Sequence, residues 1–139
     1  MKTTFLCSIL CCFLALNANA QNAQLPEWGP AKVTNALFYY LPALNLYYDV
    51  QLKEYVYQKK GKIKKSKSLP AHIAEQDLYN VYKVIINMPK PYLNIESDKV
   101  RYAAFMVKRG QQTIRDYEIL ERMNNLQLDD ATTVATTNK

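Results

Sequence analysis

Six lysines crowd into the nine residues from Lys59 to Lys67 (KKGKIKKSK), around a single glycine. Ammonium groups at that density draw in polymers rich in phosphate or carboxylate, because charge of one sign concentrates counter-ions around it. On an edge strand the same lysines have a plainer use, which is to discourage one sheet from pairing with another. The candidate contact residues are Lys59, Lys60, Lys62, Lys64, Lys65 and Lys67. Tyr40 and Tyr48 join them as the second members of two tyrosine doublets, since an exposed tyrosine offers a flat apolar face with a polar rim. The bland role of the tyrosines is cross-strand packing at roughly 0.2–1 kcal/mol per pair.

A second cluster surrounds His72, the one histidine, with Ser66, Ser68, Glu75 and Asp77 close in sequence. These types could supply a nucleophile, a base and an orienting acid. No G-x-S-x-G elbow accompanies the serines, so nothing in the spacing turns proximity into geometry. One histidine is too few ligands for a transition metal, and Asp129-Asp130 lacks the spacing of a calcium loop. Glycines stand only at 29, 61 and 110, which leaves no Gly-rich phosphate loop. No catalytic residue, metal or other cofactor is therefore expected.

The lysines need a hairpin to present them, and the preceding residues supply one. Tyr39, Tyr47 and Tyr55 recur every eight residues within FYYLPALNLYYDVQLKEYVY. Eight residues suit one short strand and one tight turn, so the spacing predicts an antiparallel meander. Strands are expected at Leu37–Leu41, Leu44–Asp49, Glu54–Gln58, Lys62–Lys67 and Tyr82–Asn87, from alternation and aromatic enrichment. Pro42-Ala43, residues 50–53 and Lys59-Lys60-Gly61-Lys62 turn the chain, and Pro89 and Pro91 end the last strand. Tyr55 and Tyr57 share one face and Val56 the other, so both faces of the sheet carry apolar residues and at least one must be covered.

Beyond residue 95 the pattern is helical. Ser97 reads as an N-cap, with Val100, Ala103, Ala104 and Val107 as an apolar stripe and Gly110 as a stop. A second helix is expected from Thr113 to Asn124, and residues 126–139 show no periodicity and read as a disordered tail. Residues 21–35, with Trp28, form an extended lead-in whose tryptophan should tuck onto the core. The expected fold is α+β, a meander of four or five strands over residues 36–87 followed by one or two helices over 96–125. An all-β meander with an irregular C-terminus is the alternative.

The N-terminus bounds the setting. Lys2, the apolar run Phe5–Leu16 and Ala18-Asn19-Ala20 form a signal-peptide pattern over residues 1–20, with cleavage expected after Ala20. The run is too short to span a bilayer, which takes about 20 apolar residues. Cys7, Cys11 and Cys12 all lie in this segment, and neither Cys11 nor Cys12 follows a small residue as a lipidated cysteine would. From Gln21 onwards there is no cysteine, which excludes disulfides and thiolate metal sites. The whole chain carries a net charge of +6, and removing Lys2 lowers it by one.

The series FYYLPALNLYYDVQLKEYVY, a glycine turn at Gly61, Leu69-Pro70, Tyr82–Asn87 and Pro91-Tyr92 resembles uncharacterised small exported, tyrosine-rich proteins of Bacteroidota. It departs from their pattern at Ile63, where an aromatic residue often follows the turn. The resemblance spans about Phe38 to Tyr92 and implies export to periplasm or medium and a β-rich fold, but no activity. The expected partner is an anionic envelope polymer or another envelope protein. An exported chain seldom meets nucleic acid, so the aromatic–lysine mixture is not assigned to single strands. The competing function is a small hydrolase or inhibitor-like effector built around His72.

Overall fold

The computed structural model describes residues 24–33 and 35–137, so the expected signal peptide lies outside the described residues. Five strands form one open antiparallel sheet in the order β4-β3-β2-β1-β5: β1 (Phe38–Leu41), β2 (Leu46–Asp49), β3 (Glu54–Lys59), β4 (Lys62–Ser66) and β5 (Val84–Ile86). Two helices follow, α1 (Ile95–Arg101) and α2 (Ile114–Thr137), with single 3-10 turns at Ala71–Ile73, Pro91–Asn94 and Ala103–Phe105. The fold is α+β.

The eight-residue tyrosine period has a concrete origin. Strands of four residues alternate with loops of four, Pro42–Asn45 and Val50–Lys53. Each loop ends on a residue with positive φ, Asn45 at 49° and Lys53 at 54°. In the second loop Asp49 Oδ1 accepts from the backbone N–H groups of Gln51 and Leu52, at 3.1 and 2.9 Å. That bonding pattern is the reason aspartate favours turn starts. The third hairpin is tighter: Lys60 (φ 53°) and Gly61 (φ 71°) form a two-residue turn whose double positive φ matches the twist of the flanking strands.

Antiparallel pairing puts residues eight apart on opposite faces. Tyr39 pairs with Tyr48 and Tyr48 with Tyr55, giving one face a three-tyrosine ladder, whereas Tyr40 pairs with Tyr47 on the other. The first face also carries Leu41, Leu46 and Tyr57, and is covered by Leu25, Trp28, Leu69, Ile73, Leu78 and Val81. Trp28 meets Tyr48 edge-on at 4.9 Å and stacks with Tyr55 at 6.4 Å, so the tryptophan is tucked as expected. The backbone comes close here: a Cβ on Gly29 would lie 2.9 Å from the Pro26 carbonyl oxygen and 3.1 Å from the Tyr39 ring. The lead-in is thus part of the domain rather than an appendage. Gly29 and Glu27 carbonyls accept from Ile114 and Arg115 N–H, at 2.9 and 3.1 Å, which satisfies donors the first turn of α2 cannot pair itself.

The second face, with Phe38, Tyr40, Tyr47, Val56 and Ile86, is covered by Tyr92, Ile95 and Tyr102. Here the expected stripe is corrected. Val100 and Val107 are 77 % and 80 % exposed, and α1 turns Ile95 and Asp98 inward instead. A polar residue holds the central buried position because the buried Tyr47 hydroxyl needs an acceptor, and it donates to Asp98 Oδ2 at 2.6 Å. The N-cap is Asn94 rather than Ser97, whose hydroxyl donates back to the Asn94 carbonyl. The expected disordered stretch from residue 126 also differs, since α2 continues to Thr137. Thr113 and Asp116 nucleate it through a reciprocal capping box, with Thr113 N–H donating to Asp116 Oδ2 at 3.0 Å and Asp116 N–H donating to Thr113 Oγ1 at 3.3 Å. No glycine or proline follows Gly110 to stop propagation, which is far cheaper than nucleation. Among the described residues no helix is long and apolar enough to cross a membrane.

Candidate functional site

Strand register sorts the six lysines. Lys59 pairs with Lys62, and Lys64 with Tyr57, so these three ammonium groups share the sheet face of the tyrosine ladder. Lys65 opposes Val56 on the other face, and its Nζ stands 5.6 Å from the centroid of the Tyr92 ring. Lys60 occupies the turn. Lys67 is already engaged: its Nζ donates to the Leu52 carbonyl at 2.6 Å and lies 3.4 Å from Glu54. Among the described residues none of the other five lies within ion-pair distance of a carboxylate. All six are exposed.

Tyr40 and Tyr48 do not belong to this surface. Tyr40 is wholly buried and Tyr48 nearly so. The pleat does put the two members of each doublet on opposite faces, but both faces are covered, so neither member is left outside. Tyr40 donates to Asn45 Oδ1 at 2.9 Å, tying the β1–β2 loop to the sheet. Burial pushes the Tyr39, Tyr40 and Tyr55 hydroxyls up to about 12, aided by neighbouring tyrosines or carboxylates.

The residues around His72 are not drawn together. His72 is exposed on the 3-10 turn Ala71–Ile73 and makes no hydrogen bond to Ser66, Ser68, Glu75 or Asp77. The two serines contact each other at 3.4 Å, and Asp77 accepts from Tyr79 N–H and the Asn80 amide, closing a local turn. Among the described residues no three His, Cys, Asp or Glu side chains are grouped as metal ligands would be.

Two features escaped the pattern of types along the chain. Lys83 is only 1 % exposed. Its Nζ lies 6.0 Å from the Trp28 ring and 3.4 Å from the Tyr79 carbonyl oxygen. Burial pulls the amine down to about 8, against the opposing pull of Asp77 and Asp116. The Gln111 amide clamps its backbone, accepting from Lys83 N–H at 2.8 Å and donating to its carbonyl at 3.0 Å. Lys83 directly precedes β5, and continuing that strand's alternation turns its side chain to the Trp28 side, a signal available only once the register is known.

The other feature is a cleft of about 440 Å³ beside the hairpin, lined by Gln58, Gly61, Ile63, Tyr92, Asn94 and Ser97 among others. A larger one, about 540 Å³, separates the lead-in from α2 and mixes Leu25, Ile114 and Tyr117 with Lys32 and Glu118. Compared with known proteins, the chain matches no family model, no curated protein and no solved structure.

Proposed function

We propose that this chain is an exported, non-catalytic binding module whose β3–β4 hairpin holds an anionic polymer of the cell envelope. The observation that carries this reading is the set of exposed lysines from Lys59 to Lys65, which among the described residues have no carboxylate partner. A purely protective edge would need fewer charges than the pair Lys59–Lys62 and Lys64 concentrate on one face. Like charges facing across strands destabilise the hairpin, and an anion laid over them relieves that cost. The signal-like N-terminus supports export, and the absence of cysteine after Gln21 leaves the domain indifferent to an oxidising compartment.

The test is retention on an immobilised anionic polysaccharide. The wild type should bind and elute with salt, since exposed charge contacts are screened. Lys59→Glu, Lys62→Glu and Lys64→Glu together should weaken binding at least about a hundredfold, at about 1 kcal/mol per lost cation. Retention that ignores salt, or that survives the triple substitution, would sink the proposal.

A further inference from the structure

We infer that the cleft between the β3–β4 hairpin and the turn Pro91–Asn94 is a subsite for one carboxylated sugar unit, a uronic acid, of the polymer that the hairpin holds. The inference rests on the proposed polymer binding and gives it a substrate class. The cleft volume, about 440 Å³, lies within the range of small-molecule sites. Its walls suit a sugar better than a bare phosphate. Gln58 on β3 and Asn94 at the start of α1 both line it, and among the described residues neither side-chain amide has a hydrogen-bond partner within the protein. An amide that both donates and accepts matches a ring hydroxyl, which does the same. The Ser97 hydroxyl, whose proton goes to the Asn94 carbonyl at 2.9 Å, retains acceptor capacity, and Glu96 accepts hydroxyl protons while its charge requires the sugar carboxylate to point away from it, towards Lys65.

Tyr92 supplies the aromatic wall. Its ring is held edge-on against Phe38 at 6.0 Å, which fixes its orientation from the core side. The Lys65 ammonium does not line the cleft itself but stands 5.6 Å from the same ring centroid, within reach of the carboxylate of a sugar resting against the tyrosine. Gly61, at the hairpin tip, lines the cleft and has open space beyond its Cα. A chain of sugars seated at one unit can therefore pass the tip and reach Lys59 and Lys62 on the far face.

Binding of the protein from Gln21 to Lys139 to three soluble probes separates the possibilities. They are a hexamer of galacturonic acid, inorganic polyphosphate of similar charge, and a neutral glucose hexamer. The uronate hexamer should bind more tightly than polyphosphate, and the neutral hexamer only weakly. Gln58→Ala and Asn94→Ala should each weaken uronate binding about tenfold, the worth of one well-formed hydrogen bond, while leaving polyphosphate unchanged. Equal loss for both anions, or no loss for either, would overturn the uronate subsite while leaving the lysine hairpin's role standing. Failure of the wild type to bind either anion would overturn both. Both substituted residues are surface-accessible, so the variants should fold, and an unchanged thermal midpoint checks this.

Discussion

Between pH 10 and pH 12 the protein should unfold in one steep transition, with tyrosinate absorbance and loss of far-UV circular dichroism rising together. Tyr39, Tyr40 and Tyr55 ionise at about 12 in the folded chain against 10.0 when free, chiefly because burial disfavours the charged ring. Tyr47 is shifted in the same direction, by burial first and then by its bond to Asp98. A raised pKa means the folded state holds its proton longer, so the stabilisation is complete below pH 10 and drains away towards pH 12. At 1.36 kcal/mol per unit, each of the first three groups accounts for about 3 kcal/mol over that window. Together they rival the whole stability of a typical domain, about 5–15 kcal/mol. Lys83 acts in the opposite sense. Its folded value of about 8 lies below the free value of 10.5, so stability climbs from pH 8 towards 10 before the tyrosines reverse it. In Lys83→Met the rising limb should vanish and neutral stability increase, by at most about 3 kcal/mol. Tyrosines that all titrate near pH 10 with the sheet intact would refute the account.

Replacing Asp98 by alanine should cost about 2–3 kcal/mol, the upper part of the penalty for leaving a buried donor without an acceptor. Asp98 is 2 % exposed and accepts from both Tyr47 Oη at 2.6 Å and Arg101 Nη1 at 2.9 Å. Its removal leaves a buried phenol without an acceptor and a gap between α1 and the sheet. Asparagine keeps an acceptor for Tyr47 and loses mainly the attraction to Arg101, which is largely exposed and worth little. Asp98→Asn should therefore cost about 1 kcal/mol. Urea midpoints at an unchanged m-value distinguish the two. If alanine proves as mild as asparagine, the Tyr47–Asp98 contact does not anchor α1.

The contrast between Asp98 and the tyrosines explains what could be read along the chain. The meander was legible because turns are written in local chemistry: Pro42 fixes its own φ, Asp49 accepts from the N–H groups that follow it, and Gly61 takes a positive φ without steric cost. Tertiary choices were not. Val100 and Val107 look more core-like than Asp98 by polarity alone, and only the Tyr47 hydroxyl across the sheet makes the carboxylate the better inward residue. The burial of Tyr40 and Tyr48 is not legible along the chain, because the covering segments 24–31 and 69–81 have little periodicity to announce them. The lysine cluster needed no such context, since exposure is the default for lysine. Its division between two faces follows from the register of the hairpin itself, whereas the neighbouring cleft depends on residues 92–97, some thirty positions away.

The tyrosine doublets also bear on how the sheet finds its alignment. A slip of one residue normally exchanges an apolar face for a polar one and is rejected at once. In β1 and β2 it would exchange Tyr39 for Tyr40 and Tyr47 for Tyr48, leaving tyrosine on both sides. Hydrophobicity is nearly blind to that error at the centre of this sheet. Fidelity falls to the directional groups: the left-handed residues Asn45 and Lys53 that close each loop, and the Tyr47 hydroxyl, which reaches Asp98 from only one of the two alignments. These few polar contacts proofread a core whose bulk would accept either arrangement.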